Sequence, residues 1–220
     1  MSETTPLKQG STTAAPSPNY VKILVPLTLT MAIGFGIAYG SLFVDKSSQE
    51  LYAKKMETLK ALDLQWLYLA LLILGKTISL LNFVPVTYKK GLKGNIRSNP
   101  FFYEVKSRSN DEKKSKTEEK PMIAYKNDGP IGMYNRSNRS VQHMVENSGG
   151  FFAAIGPVGW LFPKQTLALV SLFCIARIIH QKGYAKGYGS HALGFGLSSM
   201  AISTMEGLSL LAFLKGVGYM

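Results

Sequence analysis

The chain has 220 residues, with 25 Lys and Arg against 13 Asp and Glu, a formal net charge of +12 and 46% hydrophobic residues. The charge is unevenly placed: 19 charged residues lie between Lys89 and Arg139, whereas none occurs in the 22 positions from Ile23 to Val44. A bilayer-spanning helix needs about 20 apolar residues. This pattern excludes a soluble domain, and because the basic charge lies beside apolar spans, we expect no nucleic-acid partner.

The amino-terminal part predicts a polar tail, one membrane helix and a polar link. Residues 1–19 are rich in Ser, Thr and Pro and lack the pattern of a cleavable signal. A transmembrane helix is predicted over residues 20–44, where Gly36 and Gly40 have the GxxxG spacing that lets another helix approach closely. Residues 45–63 are polar and lysine-containing, so they predict a link outside the membrane.

The next segment predicts a second membrane helix and a long basic connector. Residues 64–88 are apolar except for Lys76 near the middle. Residues 89–135 form the connector, and its stretch from Lys106 to Lys120 is dense in charges of both signs. Such composition favours a loop that is solvated or ordered by a partner.

Three further helices are predicted in the remaining chain, over residues 136–162, 165–182 and 191–214, followed by a short tail, 215–220. The predicted fold is therefore all-α, a multi-pass transmembrane bundle with five spans.

The distribution of basic residues predicts the orientation. The connector 89–135 is the most basic loop, and the turn with Lys182 and Lys186 is richer in Lys than the turn before it. Both should face the cytosol or the mitochondrial matrix, with the chain in the endoplasmic reticulum or a mitochondrial membrane. The sequons at Asn135 and Asn138 then lie on the inner side and should stay unglycosylated.

One face of the third predicted helix carries ionisable residues. At 100° per residue, Arg139, His143 and Glu146 project at about 0°, 40° and 340°. Ionisable groups in membrane helices usually face a cavity or a partner. These residues therefore form one polar row.

The fourth predicted helix carries a second polar row. Arg177, His180 and Tyr184 project at about 0°, 300° and 340°. Two such rows can line a pocket for a small anionic or zwitterionic ligand, because Arg pairs bidentately with carboxylates and Glu accepts from an amine. A network that only holds the two helices together is the alternative.

Two more charges fall inside predicted spans. Lys76 and Glu206 should pair with each other or meet other polar groups, since an isolated charge in the membrane is costly. Within the spans, Glu146 and Glu206 supply the carboxylates, and Cys174 is a lone cysteine, so we expect no metal site and no disulfide.

The two polar rows resemble a known family. The run from Arg139 to Asn147 and the run from Ala176 to Tyr184 are similar to the MAPEG superfamily, membrane-associated proteins in eicosanoid and glutathione metabolism. The resemblance is closest to the microsomal glutathione transferase and prostaglandin E synthase branches. It covers residues 64–214, a four-helix unit, and makes the helix at 20–44 an addition. It implies a homotrimer that binds glutathione between subunits near the cytosolic face.

The resemblance also implies roles for the polar residues. Glutathione would be bound by Arg139, His143, Glu146, Arg177, His180 and Tyr184. Tyr184 or His191 would polarise its thiol. The chain departs from the family pattern at His143, where Asn is expected, and no Arg follows Arg177 to activate the sulfur.

Two functions are compatible with these residues. In the first, the protein keeps the MAPEG scaffold and a partly degraded glutathione pocket, and is an accessory subunit of a larger membrane complex in contact with lipids. The missing late arginine, the added helix and the long connector favour it. In the second, it is an active glutathione-dependent transferase, peroxidase or isomerase acting on lipophilic substrates.

Overall fold

A computed structural model describes residues 18–44, 46–88, 101–106, 122–187 and 189–219. Most of the predicted amino-terminal tail and the charge-dense centre of the connector lie outside these residues. The predicted all-α membrane bundle is confirmed.

The elements in chain order are α1 (Tyr20–Ser41), α2 (Lys46–Ala61), α3 (Gln65–Thr87), β1 (Tyr103–Lys106), β2 (Met122–Tyr125), α4 (Gly129–Asn147), α5 (Gly149–Leu161), α6 (Pro163–Lys186) and α7 (Ala192–Gly216). Within the described ranges, α1, α3 and α7 are long and apolar enough to cross a membrane, and α5 is a shorter apolar helix. The protein is an integral membrane protein. Helix α6 is of similar length but carries Arg177, His180 and Gln181, which lower its hydropathy.

The helix predicted over residues 136–162 is wrong in its bounds. It begins earlier, at Gly129, and is divided into α4 and α5 at the buried Ser148. Ser148 leaves the helical backbone conformation, and two poor helix formers, Gly149 and Gly150, follow it. Pro130 suits the first turn of α4, where its missing N–H is not needed.

The segment predicted as a polar link, residues 45–63, contains a helix, which the sequence analysis did not specify. Helix α2 is rich in Lys, Glu, Leu and Ala, which are strong helix formers, and its described side chains are mostly exposed. Beyond α2, Asp63 adopts a left-handed backbone conformation, with φ of 57°. Its carboxylate bonds Lys164 at 2.8 Å, which joins this turn to the start of α6.

The ends of the connector form a short antiparallel pair that the sequence analysis did not predict. Tyr103 pairs with Tyr125 and Val105 with Ile123, and the two tyrosine rings stack at 4.8 Å. The side chain of Asn135 in α4 holds this pair in place. It accepts from the Phe102 N–H at 2.9 Å and donates to the carbonyls of Phe102 at 2.7 Å and Lys126 at 2.9 Å.

Helix α6 is the centre of the bundle and packs on α3, α4, α5 and α7. The core between these helices is apolar, with Phe151 of α5 stacked on Phe173 of α6 at 4.5 Å. Helix α7 approaches α6 closely at Gly194, where an added Cβ would collide with the backbone of α6. This glycine is required by the close approach of the two helices.

A proline links α3 to α6 indirectly. Pro85 lies inside α3 and has no N–H, so the carbonyl of Leu81 loses its helical partner. Gln181 of α6, which is buried, donates its Nε2 to that carbonyl at 2.8 Å. Since an unpaired buried carbonyl is costly, this bond stabilises the contact between the two helices.

Candidate functional site

The three histidines of the chain lie together at the end of the bundle where α4, α6 and α7 meet. The rings of His143 and His180 stack with their centres 5.7 Å apart, and those of His180 and His191 are 5.3 Å apart. The Tyr184 ring lies 4.8 Å from that of His191. The structure therefore places the two predicted polar rows side by side, although they come from helices distant in sequence.

Two of the predicted ligand-binding residues, Arg177 and His180, are buried and bond to another helix of the chain. Arg177 donates its Nη2 to the Ser140 carbonyl at 2.8 Å, and the Ser140 Oγ lies 2.7 Å from Nδ1 of His180. Arg177 is 4% exposed and His180 is 1% exposed. Both side chains thus join α6 to a single residue of α4.

Arg139 and Glu146 lie on the same face of α4, two turns apart, and form an ion pair at 3.0 Å. Each side chain is 44% exposed, so the pair lies at the surface of the site. An exposed ion pair of this kind contributes about 0–1 kcal/mol to stability. The pairing leaves both groups accessible to a ligand that competes for them.

A cavity of about 490 Å³ lies beside this network, between α4, the end of α6 and the connector. Its lining residues are Phe101, Tyr125, Asn127, Asn135, Arg136, Arg139, Gln142 and Tyr184. Of the predicted site residues, Arg139 and Tyr184 belong to this lining, whereas His143, Glu146, Arg177, His180 and His191 do not. The volume is within the range of small-molecule sites, about 300–1,000 Å³.

Six of the eight lining residues are not among the predicted site residues, and Arg136 and Asn135, which belong to these six, make hydrogen bonds through their side chains. Arg136 precedes Arg139 by three residues, a spacing that places both on one helix face. The Arg136 Nε donates to the Ala185 carbonyl at 3.0 Å, and the Arg136 Nη1 donates to the Asn127 carbonyl at 2.6 Å. Asn135 belongs to a sequon, and in the structure its amide is buried and bonded to the connector. The helical spacing was the available signal for Arg136.

The arrangement has the chemistry of an anion site. Arg136 and Arg139 bring two guanidinium groups to one cavity, and Tyr184 adds a phenol to its wall. Guanidinium groups bind carboxylates through paired hydrogen bonds. Phe101 and Tyr125, whose rings meet edge to face at 5.5 Å, add apolar surface from the connector.

The pair expected between Lys76 and Glu206 does not form within one chain. Among the residues described, the side chains of Lys76 and Glu206 form no ion pair with each other. Lys76 lines a groove between α1 and α3, whereas Glu206 is exposed on α7. The described part of the chain also contains no cluster of three or more metal-ligating side chains.

Comparison with known proteins identifies the family. The model of the MAPEG family matches residues 67–211, about two thirds of the chain. Comparisons with curated proteins and with solved structures gave no significant match. The matched range begins within α3 and ends within α7, so it contains the polar rows and the cavity. The chain is therefore a member of the MAPEG family.

Proposed function

We propose that this MAPEG protein is an accessory subunit of a larger membrane complex and retains a partly degraded glutathione pocket. The observation that carries the proposal is that Arg177 and His180 bond to another helix of the same chain. Both are buried and bonded to Ser140, so groups with the chemistry to bind a ligand serve instead to hold α4 against α6.

The outer surface supports the same proposal. Helix α1 contacts α3 along one side, and Phe35 and Ile37 are 70% and 71% exposed. The backbone at Gly36 and Gly40 is open, with no atom of the described chain within 4 Å of an added Cβ. Lipids, further copies of the chain in a homotrimer, or other membrane subunits can cover this surface.

Purification of the full chain from its own membrane in a mild detergent tests the proposal. We expect additional membrane subunits to co-purify and to be lost in a Gly36→Leu variant, because the leucine prevents close helix contact. Gly207→Leu, on α7 and equally open, is the matched control. Recovery of a free homotrimer without other subunits contradicts the proposal.

Glutathione-dependent catalysis is a second candidate, favoured by the cavity and by the family. Arg139, helped by the Nη2 group of Arg136, would bind the glutathione carboxylates, while the Arg136 Nε and Nη1 keep their bonds to backbone carbonyls. Glu146 would accept from the amino group, and Tyr184 would polarise the thiol. His191 contacts the Tyr184 ring and would assist it. Lipophilic electrophiles would enter from the bilayer, as expected of a microsomal glutathione transferase or prostaglandin E synthase.

Two measurements separate these functions. Ultraviolet difference absorption detects a thiolate when glutathione is added, and turnover of a chlorinated aromatic electrophile detects transfer. Glutathione binding without turnover supports the accessory subunit. Turnover that is lost in Tyr184→Phe or His191→Ala establishes the enzyme. The absence of both thiolate absorption and turnover rejects glutathione-dependent catalysis.

The orientation follows from the charge distribution. The cavity, the connector ends and the turn after α6 occupy the same end of the bundle, as Arg136 contacts both segments. We expect this end to face the cytosol or the matrix. Labelling of a cysteine introduced at exposed Lys186, compared with one at exposed Lys164, tests this orientation in sealed vesicles.

A further inference from the structure

A second cavity lies where α1, which is outside the part of the chain that matches the family, packs against α3, which is inside it. It has a volume of about 380 Å³ and runs between α1 and the carboxyl-terminal half of α3. Its lining residues are Lys22, Ile23, Pro26, Leu27, Thr30, Phe83, Val86 and Thr87. We call it the α1–α3 groove.

Apart from Lys22, the lining of the groove presents apolar surface, because its two threonine hydroxyls bond to backbone carbonyls. Ile23 is buried in a cluster with Val84 and Tyr88, which fixes α1 against α3. The two threonine hydroxyls bond carbonyls of their own helices, Thr30 at 3.1 Å and Thr87 at 2.7 Å. These hydroxyl groups therefore need no polar partner in the groove, and its walls suit a hydrocarbon chain.

One cation stands at the end of the groove. Lys22 lies in the first turn of α1, and the Asn19 side chain caps this helix by accepting from the Lys22 N–H at 3.2 Å. The lysine side chain is exposed, so its ammonium reaches the level where lipid headgroups lie. The positive end of the helix dipole adds to its charge.

We infer that the α1–α3 groove binds one anionic phospholipid. An acyl chain occupies the apolar walls, and the headgroup phosphate pairs with the Lys22 ammonium. Charge complementarity and the position of both helices in the membrane select this occupant over a zwitterionic lipid. The inference does not depend on the proposed function, because α1 contributes nothing to the cavity beside Arg139.

Native mass spectrometry of the full chain tests the inference. The detergent-solubilised protein is incubated with phosphatidylglycerol or with phosphatidylcholine of the same acyl chains, and the lipids retained per chain are counted. We expect one retained phosphatidylglycerol per chain with a preference of about fivefold over phosphatidylcholine. Equal retention of the two lipids overturns the inference.

Variants assign the retained lipid to the groove. Lys22→Gln should remove the preference, whereas Lys54→Gln on exposed α2 should not. Val86→Trp fills the groove and should abolish retention, whereas Val25→Trp, exposed on α1 outside the lining, should leave it unchanged. Circular dichroism confirms that each variant is folded. Retention that survives both Lys22→Gln and Val86→Trp, or a second polypeptide retained in place of the lipid, overturns the inference.

Discussion

The Ser140 Oγ lies 2.7 Å from Nδ1 of His180, and the Ser140 carbonyl accepts from Arg177 at 2.8 Å, so one serine of α4 holds two polar residues of α6. Removing the hydroxyl leaves the buried His180 nitrogen unpaired. We therefore expect Ser140→Ala to lower the free energy of unfolding by about 1–3 kcal/mol, measured by thermal melting in detergent. Ser203→Ala, at an exposed position of α7, should change it by less than about 0.5 kcal/mol.

The bond between Gln181 and the Leu81 carbonyl can be tested by a double-mutant cycle. Gln181→Leu should destabilise the protein by about 1–3 kcal/mol, because the carbonyl that Pro85 leaves unpaired loses its donor. In a Pro85→Ala background an N–H is restored to α3, so the same change should be milder by about 1 kcal/mol. Equal effects in both backgrounds would show that the proline does not create the need for Gln181. Gln165→Leu, at an exposed position, is the control.

Arg139 should contribute to ligand binding, whereas Arg177 should contribute to the stability of the fold. Arg139 lines the cavity, so Arg139→Gln should weaken glutathione binding about tenfold or more, measured by calorimetry, with little change in melting temperature. Arg177 is buried away from the lining, so Arg177→Gln should lower stability by about 1.5–3 kcal/mol. The opposite assignment of the two arginines would contradict this division.

Asn135 should hold the connector ends on α4. Asn135→Ala removes three hydrogen bonds to residues 102 and 126. We expect the amide of Phe102 to exchange with deuterium at least about tenfold faster, since its buried acceptor is lost. Asn147→Ala, which removes a solvent-exposed bond to the His143 carbonyl at the other end of α4, should leave this exchange unchanged. Unaltered protection in Asn135→Ala would mean that the strand pair is held by other contacts.

The ion pair between Asp63 and Lys164 predicts a small pH effect. Hydrogen bonding to Lys164, more than any other cause, lowers the pKa of Asp63 from its ordinary value of 3.8. A lowered folded-state pKa stabilises the protein above the ordinary pKa, and this contribution is lost as the pH falls through the folded-state value. The melting temperature of Asp63→Asn should therefore be slightly below wild type at pH 7, and the gap should close on acidification. A gap that widens at low pH would contradict this sign.

Local patterns in the sequence were sufficient for the spans and for the polar rows. Helices α1 and α3 follow from apolar runs, because a stretch of about 20 apolar residues, long enough to span a bilayer, can be recognised from composition alone. The common face of Arg139 and Glu146 follows from helical periodicity, and the structure joins them at 3.0 Å. These features required no knowledge of how the helices pack.

Three features of the structure did not follow from these local patterns. The break at Ser148 and the strand pair held by Asn135 were not predicted, since apolar and polar patterns alone do not mark them. Lys76 and Glu206 are not joined by an ion pair among the described residues, because apolar patterns along the sequence do not fix how α3 and α7 are offset. The alternative, that each charge meets other polar groups, stays a prediction.

The sequence by itself determined that this is a multi-pass membrane protein with two ionisable rows. Only the tertiary structure decided which of those groups meet a cavity and which meet each other. Arg139 and Arg177 look equivalent on their own helices, yet one lines open space and the other bonds a serine 37 positions earlier in the chain. The difference arises because a buried guanidinium must find a partner, and that partner is set by how two helices lie against each other.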